Sequence, residues 1–298
     1  MLKFSLLFVV VAVGAGLVWQ AKSLGAGEPA VHPNLDNESV KDALKSLEAI
    51  KDDSSMDKVV DRLAKAVEFL GEKHFAALML LTAQEESQSD VEQLRIAVDR
   101  VIESLTFRPW IEAELPEGFP RFTPVHHIEV KALPEYRMAR ALMPNQQGKG
   151  DNGAFWKLFS HIKRNDIAMT APVQMDYSGN DDSFKVASMA FLYGSRKIGT
   201  AGQDSADDSV EVVDHPKQDV VSIGIRGRMT SESIRRGHHA LQSWLELHKS
   251  KFRECGPLRR MGYNSPFIPA DRAFFELQIP VERIEHNASA KVVAKLVD

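Results

Sequence analysis

Asn165-Asp166-Ile167-Ala168-Met169-Thr170-Ala171-Pro172-Val173 ends a short aromatic, basic helix and starts a strand. Ahead of it, Phe155, Leu158, Phe159 and Ile162 recur at helical spacing and build an apolar face, while Lys157, His161 and Arg164 fall on another. Behind it, the pattern predicts a strand over Met169 to Met175. Pro172 donates no ladder hydrogen bond and places that strand at an edge or a bulge.

The same succession returns further along the chain. Ile128-Glu129-Val130, followed by Pro134 and the strand Tyr136 to Leu142, recurs as Val210-Glu211-Val212, followed by Pro216 and the strand Asp219 to Arg226, an offset of 82 residues. The aromatic helix has a counterpart in Ser231 to Phe252, and Met169 to Met175 has one in Met261 to Phe267. Ser183 to Tyr193, a strand apolar on both faces, matches Arg272 to Val281. Each half reads strand, helix, strand, strand. Two such units back to back close much of a barrel around a shared apolar hollow, with the helices outside or across one mouth. Between the halves, Gly194 to Ser209 holds almost nothing apolar and is expected to be a mobile loop.

The proline-rich run Leu115 to Pro124 marks a boundary, and the pattern before it is helical. Val40, Leu44 and Leu47 mark a first helix. Val59, Leu63, Val67 and Leu70 mark a second, read as running on through Gly71 to Phe75, Leu78 and Met79. Val91, Leu94, Val98, Val101 and Leu105 mark a third. Ser54 and Asp57, and likewise Ser87 and Asp90, sit where caps and first-turn acids stabilise helix starts. This gives a helical hairpin or three-helix bundle over residues 36–110, either a docking module for a protein partner or a packing layer. Residues 36–106 carry 9 Lys and Arg against 16 Asp and Glu, whereas residues 107–298 carry 26 against 24, so the two parts are expected to be separate units. Ahead of them, Lys3 precedes an apolar run from Phe4 to Trp19. Residues 1–24 therefore read as a signal peptide or an N-terminal membrane anchor, attached through residues 2–19. That predicts an exported, periplasmic or otherwise extracytoplasmic protein. Residues 25–35 follow as a linker, 118–285 as the strand-rich domain and 286–298 as a C-terminal tail.

A formal net charge of -4 and a pI near 6.2 give no basic footprint, which argues against a nucleic-acid partner. The single cysteine, Cys255, excludes an intrachain disulfide and a cysteine-rich metal centre. Gly148-Lys149-Gly150-Asp151-Asn152-Gly153 has the dinucleotide-fingerprint spacing, but the following helix is short and no strand and helix alternation builds a parallel sheet. The ten histidines form no metal signature, since His126-His127 and His238-His239 are adjacent pairs that point to different faces. No spacing supports an enzyme, so no metal site of the chain's own and no catalytic residue is expected.

Ile167 to Val173, taken with Gly262-Tyr263-Asn264-Ser265-Pro266-Phe267, resembles the SOUL family, also called the haem-binding protein family, over roughly residues 118 to 284. The resemblance implies an α+β fold, a distorted antiparallel β-barrel with flanking helices, that binds tetrapyrroles in several members. It further implies that the aromatic helix and the loop after the second motif, Tyr263 to Arg272, flank the ligand. A tetrapyrrole presents a broad aromatic plane and two propionates, so its site needs large apolar side chains beside cations. The helix supplies Phe155, Trp156 and Phe159 with Lys157, Lys163 and Arg164, while Met169 and Met175 are soft enough to pack on a porphyrin. Tyr263, Phe267 and Arg272 complete the candidate set, Arg272 being the sole cation of that loop. His161 is either an axial iron ligand or a surface histidine on the basic stripe.

The expected function is that of an exported haem or tetrapyrrole-binding protein, serving carriage, buffering or sensing without catalysis. One alternative is a pocket for other apolar small molecules, because the duplicated fold is similar to bacterial multidrug-sensing domains. Another is a cell-envelope scaffold using the helical region, for which ligand affinity would survive removal of residues 28–110.

Overall fold

Helical spacing in the N-terminal half and alternation in the C-terminal half lead to the expected α+β architecture, seen in a computed structural model that describes residues 6–8, 11–13, 16–18, 21–23, 32, 35–53, 55–87, 90–143, 152–179 and 184–284. Near the N-terminus, β1 (Leu6–Phe8) pairs with β4 (Ala21–Ser23) and β2 (Val11–Val13) with β3 (Gly16–Val18), and among the described residues these strands join no other sheet. The rest of the leader and linker readings, the glycine run at 148–151 and the tail from 286 lie outside the described residues. Among the described residues no helix is long and apolar enough to cross a membrane.

The acidic region is four helices, not two or three: α1 (Glu38–Glu48), α2 (Met56–Leu70), α3 (Phe75–Glu86) and α4 (Val91–Thr106). The apolar pattern runs unbroken across Gly71, but this residue adopts φ +79, which no helix interior allows, and α3 restarts with the His74 ring accepting from the Ala76 N–H. Asp90 caps α4 by accepting from the N–H groups of Glu92 and Gln93. Ser87 closes α3 and does not open α4.

The strand-rich region is a ten-stranded antiparallel sheet whose edges do not close. Its strands are β5 (Ile128–Leu133), β6 (Tyr136–Leu142), β7 (Val173–Ser178), β8 (Lys185–Leu192), β9 (Gly202–Gln203), β10 (Val210–His215), β11 (Gln218–Arg226), β12 (Phe252–Glu254), β13 (Arg259–Gly262) and β14 (Phe274–Arg283), with α5 (Asn152–Arg164) and α6 (Ser231–Leu247) between them. Pro134 separates β5 from β6 instead of interrupting one strand, so each half is strand, strand, helix, strand, strand. The third strands begin elsewhere than the motifs suggest: Met169 to Pro172 lead into β7, and Tyr263 to Phe267 follow β13 as a turn.

The spatial order β5-β11-β14-β13-β7-β8-β6-β10 reads the same from either end once each strand is exchanged for its counterpart in the other half. The 82-residue offset reappears in the register. Gln218 pairs with Leu133 and Tyr136 with His215, so each pair is the other with its two members moved 82 residues in opposite directions. The two halves are therefore related by a local two-fold axis between β7 and β13.

On the outer face, α5 covers Ala139, Ala141, Met175, Met189 and Phe191, and α6 covers Val221, Phe275, Leu277 and Ile279. On the inner face the expected hollow is filled. Met138, Leu192, Val220, Met261, Tyr263 and Phe274 share one apolar cluster with Phe122 and Val125 and with Leu47, Leu63, Leu80 and Leu94 of the four helices. The acidic region is thus continuous in packing with the sheet, as its own amphipathic faces require. Gly224 permits the close approach of the segment carrying Phe122, since a Cβ there would stand 2.2 Å from the Thr123 carbonyl oxygen.

Candidate functional site

The two motifs leave the sheet side by side, because Val173 pairs with Gly262 at the end of β7 and β13. Between them runs the extended segment that connects α4 to the sheet. The Asn264 amide donates to the Trp110 carbonyl, the Ser265 N–H and hydroxyl donate to the Glu112 carboxylate, and the Ala171 N–H donates to the Glu114 carbonyl at 3.0 Å. The motif residues therefore clamp the chain's own linker.

The candidate ligand residues separate into three groups. On α5, Phe155, Trp156 and Phe159 are half-buried and pack as one aromatic cluster, with Phe155 and Phe159 stacked at 6.1 Å and Trp156 edge-on to both. Lys157 donates to the Ser209 hydroxyl at 2.7 Å, Lys163 is exposed, and Met169 packs against the same outer cluster. His161 is buried. Its Nδ1 meets the Asp204 carboxylate and its Nε2 lies 2.6 Å from the Tyr193 hydroxyl, so both ring nitrogens are engaged within the protein. Arg164 donates to both oxygens of Asp204 at 2.9 and 2.8 Å. The Gly194 to Ser209 loop is accordingly pinned to α5, contrary to its polar composition. Asp204, with 3% of its side chain exposed, is the pin. Burial alone would raise its pKa, but hydrogen bonds from His161 and the Ala206 N–H, with the His161 and Arg164 charges, hold it at about 2.

The second group lies in the core. Met175 is buried under α5, and Tyr263 packs on the inner face 5.4 Å from Phe274, its hydroxyl pushed far up by burial and by neighbouring Glu276. The third group is the far loop, where Phe267 is exposed and Arg272 stacks over Trp110 with 5.6 Å from guanidinium to ring centre.

Of this group Arg272, but not Phe267, lines a cavity of about 580 Å³ between the last turn of α4 and Asp271-Arg272, walled by Glu103, Phe107, Arg108, Trp110 and Arg226. Arg226 stacks over Phe107 at 5.2 Å, donates to Glu103 at 2.8 Å and donates to the Asp271 carbonyl at 3.0 Å. Burial would raise the Glu103 pKa, and the hydrogen bonds from Arg226 and His126 lower it instead. Among the described residues Arg272 makes no ion pair. Phe107-Arg108-Pro109-Trp110 sets one cation and a proline between two aromatic rings. It falls between the last helical residue and the proline-rich boundary, where neither periodicity drew attention to it. A second cavity, of about 800 Å³, lies between α6 and Phe252, Arg253 and Ile284. Neither cavity includes a residue of α5. Among the described residues no cluster of three or more His, Cys, Asp or Glu side chains could hold a metal ion.

Residues 119–278 match the profile of the family described as SOUL heme-binding protein. Among curated proteins, none matches the chain. Similar solved structures include the EcmrR C-terminal domain, at 16% identity over 53% of this chain and 98% of that one with a TM-score of 0.38. The EcmrR–DNA complex aligns at 13% identity over 80% of this chain and 77% of that one with a TM-score of 0.41. A hydrolase from Listeria innocua aligns at 13% identity over 54% and 94%, also with a TM-score of 0.41. At these scores the likeness bears on neither ligand nor reaction.

Proposed function

Since the chain belongs to the SOUL heme-binding protein family, we propose that it binds haem or another tetrapyrrole without transforming it, and that the ligand seats between α4 and the loop before β14. The observation that carries this placement is the cavity itself. Its volume falls within the range of about 300–1,000 Å³ common for ligand pockets. It also joins two half-buried rings, Phe107 and Trp110, to the guanidinium groups of Arg108, Arg226 and Arg272. Rings offer stacking area to a macrocycle, and guanidinium groups donate to a carboxylate in planar, two-point fashion. Arg272, exposed and outside any ion pair among the described residues, is the natural propionate partner. His161 would have to leave Asp204 or Tyr193 to reach iron, so the reading assigns it no axial role.

Titration of the full chain with hemin tests this. A saturable Soret shift with quenching of tryptophan emission is expected, and Arg272→Ala or Trp110→Ala should each weaken binding about ten-fold, the equivalent of one good cation–π contact. Lys157→Ala and Trp156→Ala should leave affinity unchanged. The reverse pattern would move the site to α5, and a non-saturating signal from aggregated hemin would end the proposal.

Export belongs to the same reading and is supported by the apolar run Phe4 to Trp19. Residues 1–35 fused to alkaline phosphatase should give activity outside the cytoplasm.

A further inference from the structure

A second constellation lies on the inner face of the sheet, and none of its residues lines the α4 cavity. Cross-strand register places Glu129, Ser222, Gln278, Arg259, Asp176 and Ser188 in one line across six neighbouring strands. Directly opposed residues of an antiparallel sheet share a face, so this is a polar row running through a face that is otherwise largely apolar. Arg259 is 4% exposed and Gln278 is 1% exposed.

Most of the row is internally satisfied. The Ser188 hydroxyl donates to Asp176 at 2.9 Å, the Gln174 amide donates to the other Asp176 oxygen at 3.0 Å, and Thr123 and Ser222 join hydroxyls at 2.9 Å. The Gln278 amide donates to Glu276 at 2.9 Å, and Arg259 Nη2 donates to Gln218 at 3.1 Å. What remains is concentrated on two directly paired residues: Arg259 Nε and Nη1 and Gln278 Oε1 have no hydrogen-bond partner. Asp176 stands 3.8 Å from Arg259 Nε, close enough to feel its charge and too far to accept its proton. Buried donors and acceptors are almost always paired, and a buried guanidinium with two nitrogens left without an acceptor is costly even beside a carboxylate.

We infer that this position binds a small oxyanion that also carries a hydroxyl. Its oxygens accept from Arg259 Nε and Nη1, and its O–H donates to Gln278 Oε1. Dihydrogen phosphate and a 2-hydroxycarboxylate share that chemistry. The row meets solvent at Asp176, which lies directly opposite Arg259 and keeps 20% of its side chain exposed.

The test uses the full chain labelled with nitrogen-15, following arginine side-chain Nε–H resonances while inorganic phosphate and lactate are added separately at constant ionic strength. One buried Nε–H is expected to shift saturably, Arg259→Gln to abolish the binding, and Gln278→Leu to weaken it about ten-fold with the guanidinium still in place. Should Arg259→Gln fail to fold, Gln278→Leu carries the test alone. Saturation by phosphate only, or by lactate only, names the source. The inference is overturned if neither anion saturates the shift and Nε–H exchanges only with bound water, or if Gln278→Leu leaves the affinity unchanged. Hemin takes no part in the measurement, so its outcome is independent of the tetrapyrrole reading.

Discussion

Asp204 gathers two α5 side chains and two N–H groups of its own loop onto one carboxylate, and the consequences of removing it are specific. Asp204→Asn keeps the shape but loses the charge that Arg164 and His161 meet. The charge-assisted hydrogen bonds at stake contribute about 1.5–3 kcal/mol, so the urea midpoint at neutral pH should fall accordingly with an unchanged slope. The acid dependence has a definite sign. The folded pKa, about 2, lies below the ordinary value of 3.8, so this stabilisation is complete above that value and is lost as pH falls from 3.8 towards 2. Wild-type protein should show that slope and Asp204→Asn should not. His161 was legible in the sequence as a member of a basic helical face, whereas its partner was not. Asp204 sits 43 positions away in a loop without periodicity, and no spacing rule links a helix to such a residue. Trp110 and Arg226 escaped for the same reason, since a cavity wall is made by tertiary packing and leaves no repeat.

At the level of elements, the packing of α1 to α4 on the sheet depends on the segment around Phe122 lying flat against β11. Gly224→Ala would drive a methyl group into the Thr123 and Pro124 carbonyls, backbone atoms that cannot swing aside, at a cost of about 1–3 kcal/mol or more. A thermal melt should show that loss, whereas Gly153→Ala, with nothing within 4 Å, should be neutral or stabilising by the same measurement. The same interface holds His32 and His127. Burial, first, and then nearby positive charge (Arg121 and Lys131 for His32, His74 and His32 for His127) lower both to about 4. Both therefore fold neutral. Their contribution is complete above the ordinary value of 6.5 and is lost as pH falls from 6.5 to 4, a window above that of Asp204. Denaturant midpoints at pH 7 and 4.5 should differ, and His127→Gln should reduce the difference. Helix type and location were readable from apolar spacing. Helix number was not, because the apolar pattern passes over Gly71 while the backbone turns there, and strand starts slipped because Met169-Thr170-Ala171-Pro172 alternates like a strand yet serves as its approach.

For the whole molecule, the filled inner face predicts that a barrel stripped of residues 28–110 loses its ligand, the opposite of what the scaffold reading expects. Truncation would bare Phe122, Val125, Met138, Leu192 and Phe274 and remove the α4 wall of the cavity. The fragment should bind a hydrophobic dye, aggregate and lose saturable hemin binding, as checked by fluorescence and light scattering. The duplication was the most legible feature of all, since one offset in sequence became one offset in register. What sequence could not supply was the occupant of the space between the halves, because amphipathic helices show only that they need a partner. The two-fold arrangement also constrains assembly. Contacts that two separate half-chains would make with each other are internal to one polypeptide, and only the outer rims are left for another copy. One rim is broken between the two-residue β9 and the end of β10 at the ion-paired Asp214, while the other presents the six residues of β5 without interruption. Growth by strand addition is thus one-sided, a geometry that stops at a pair and resists fibre formation.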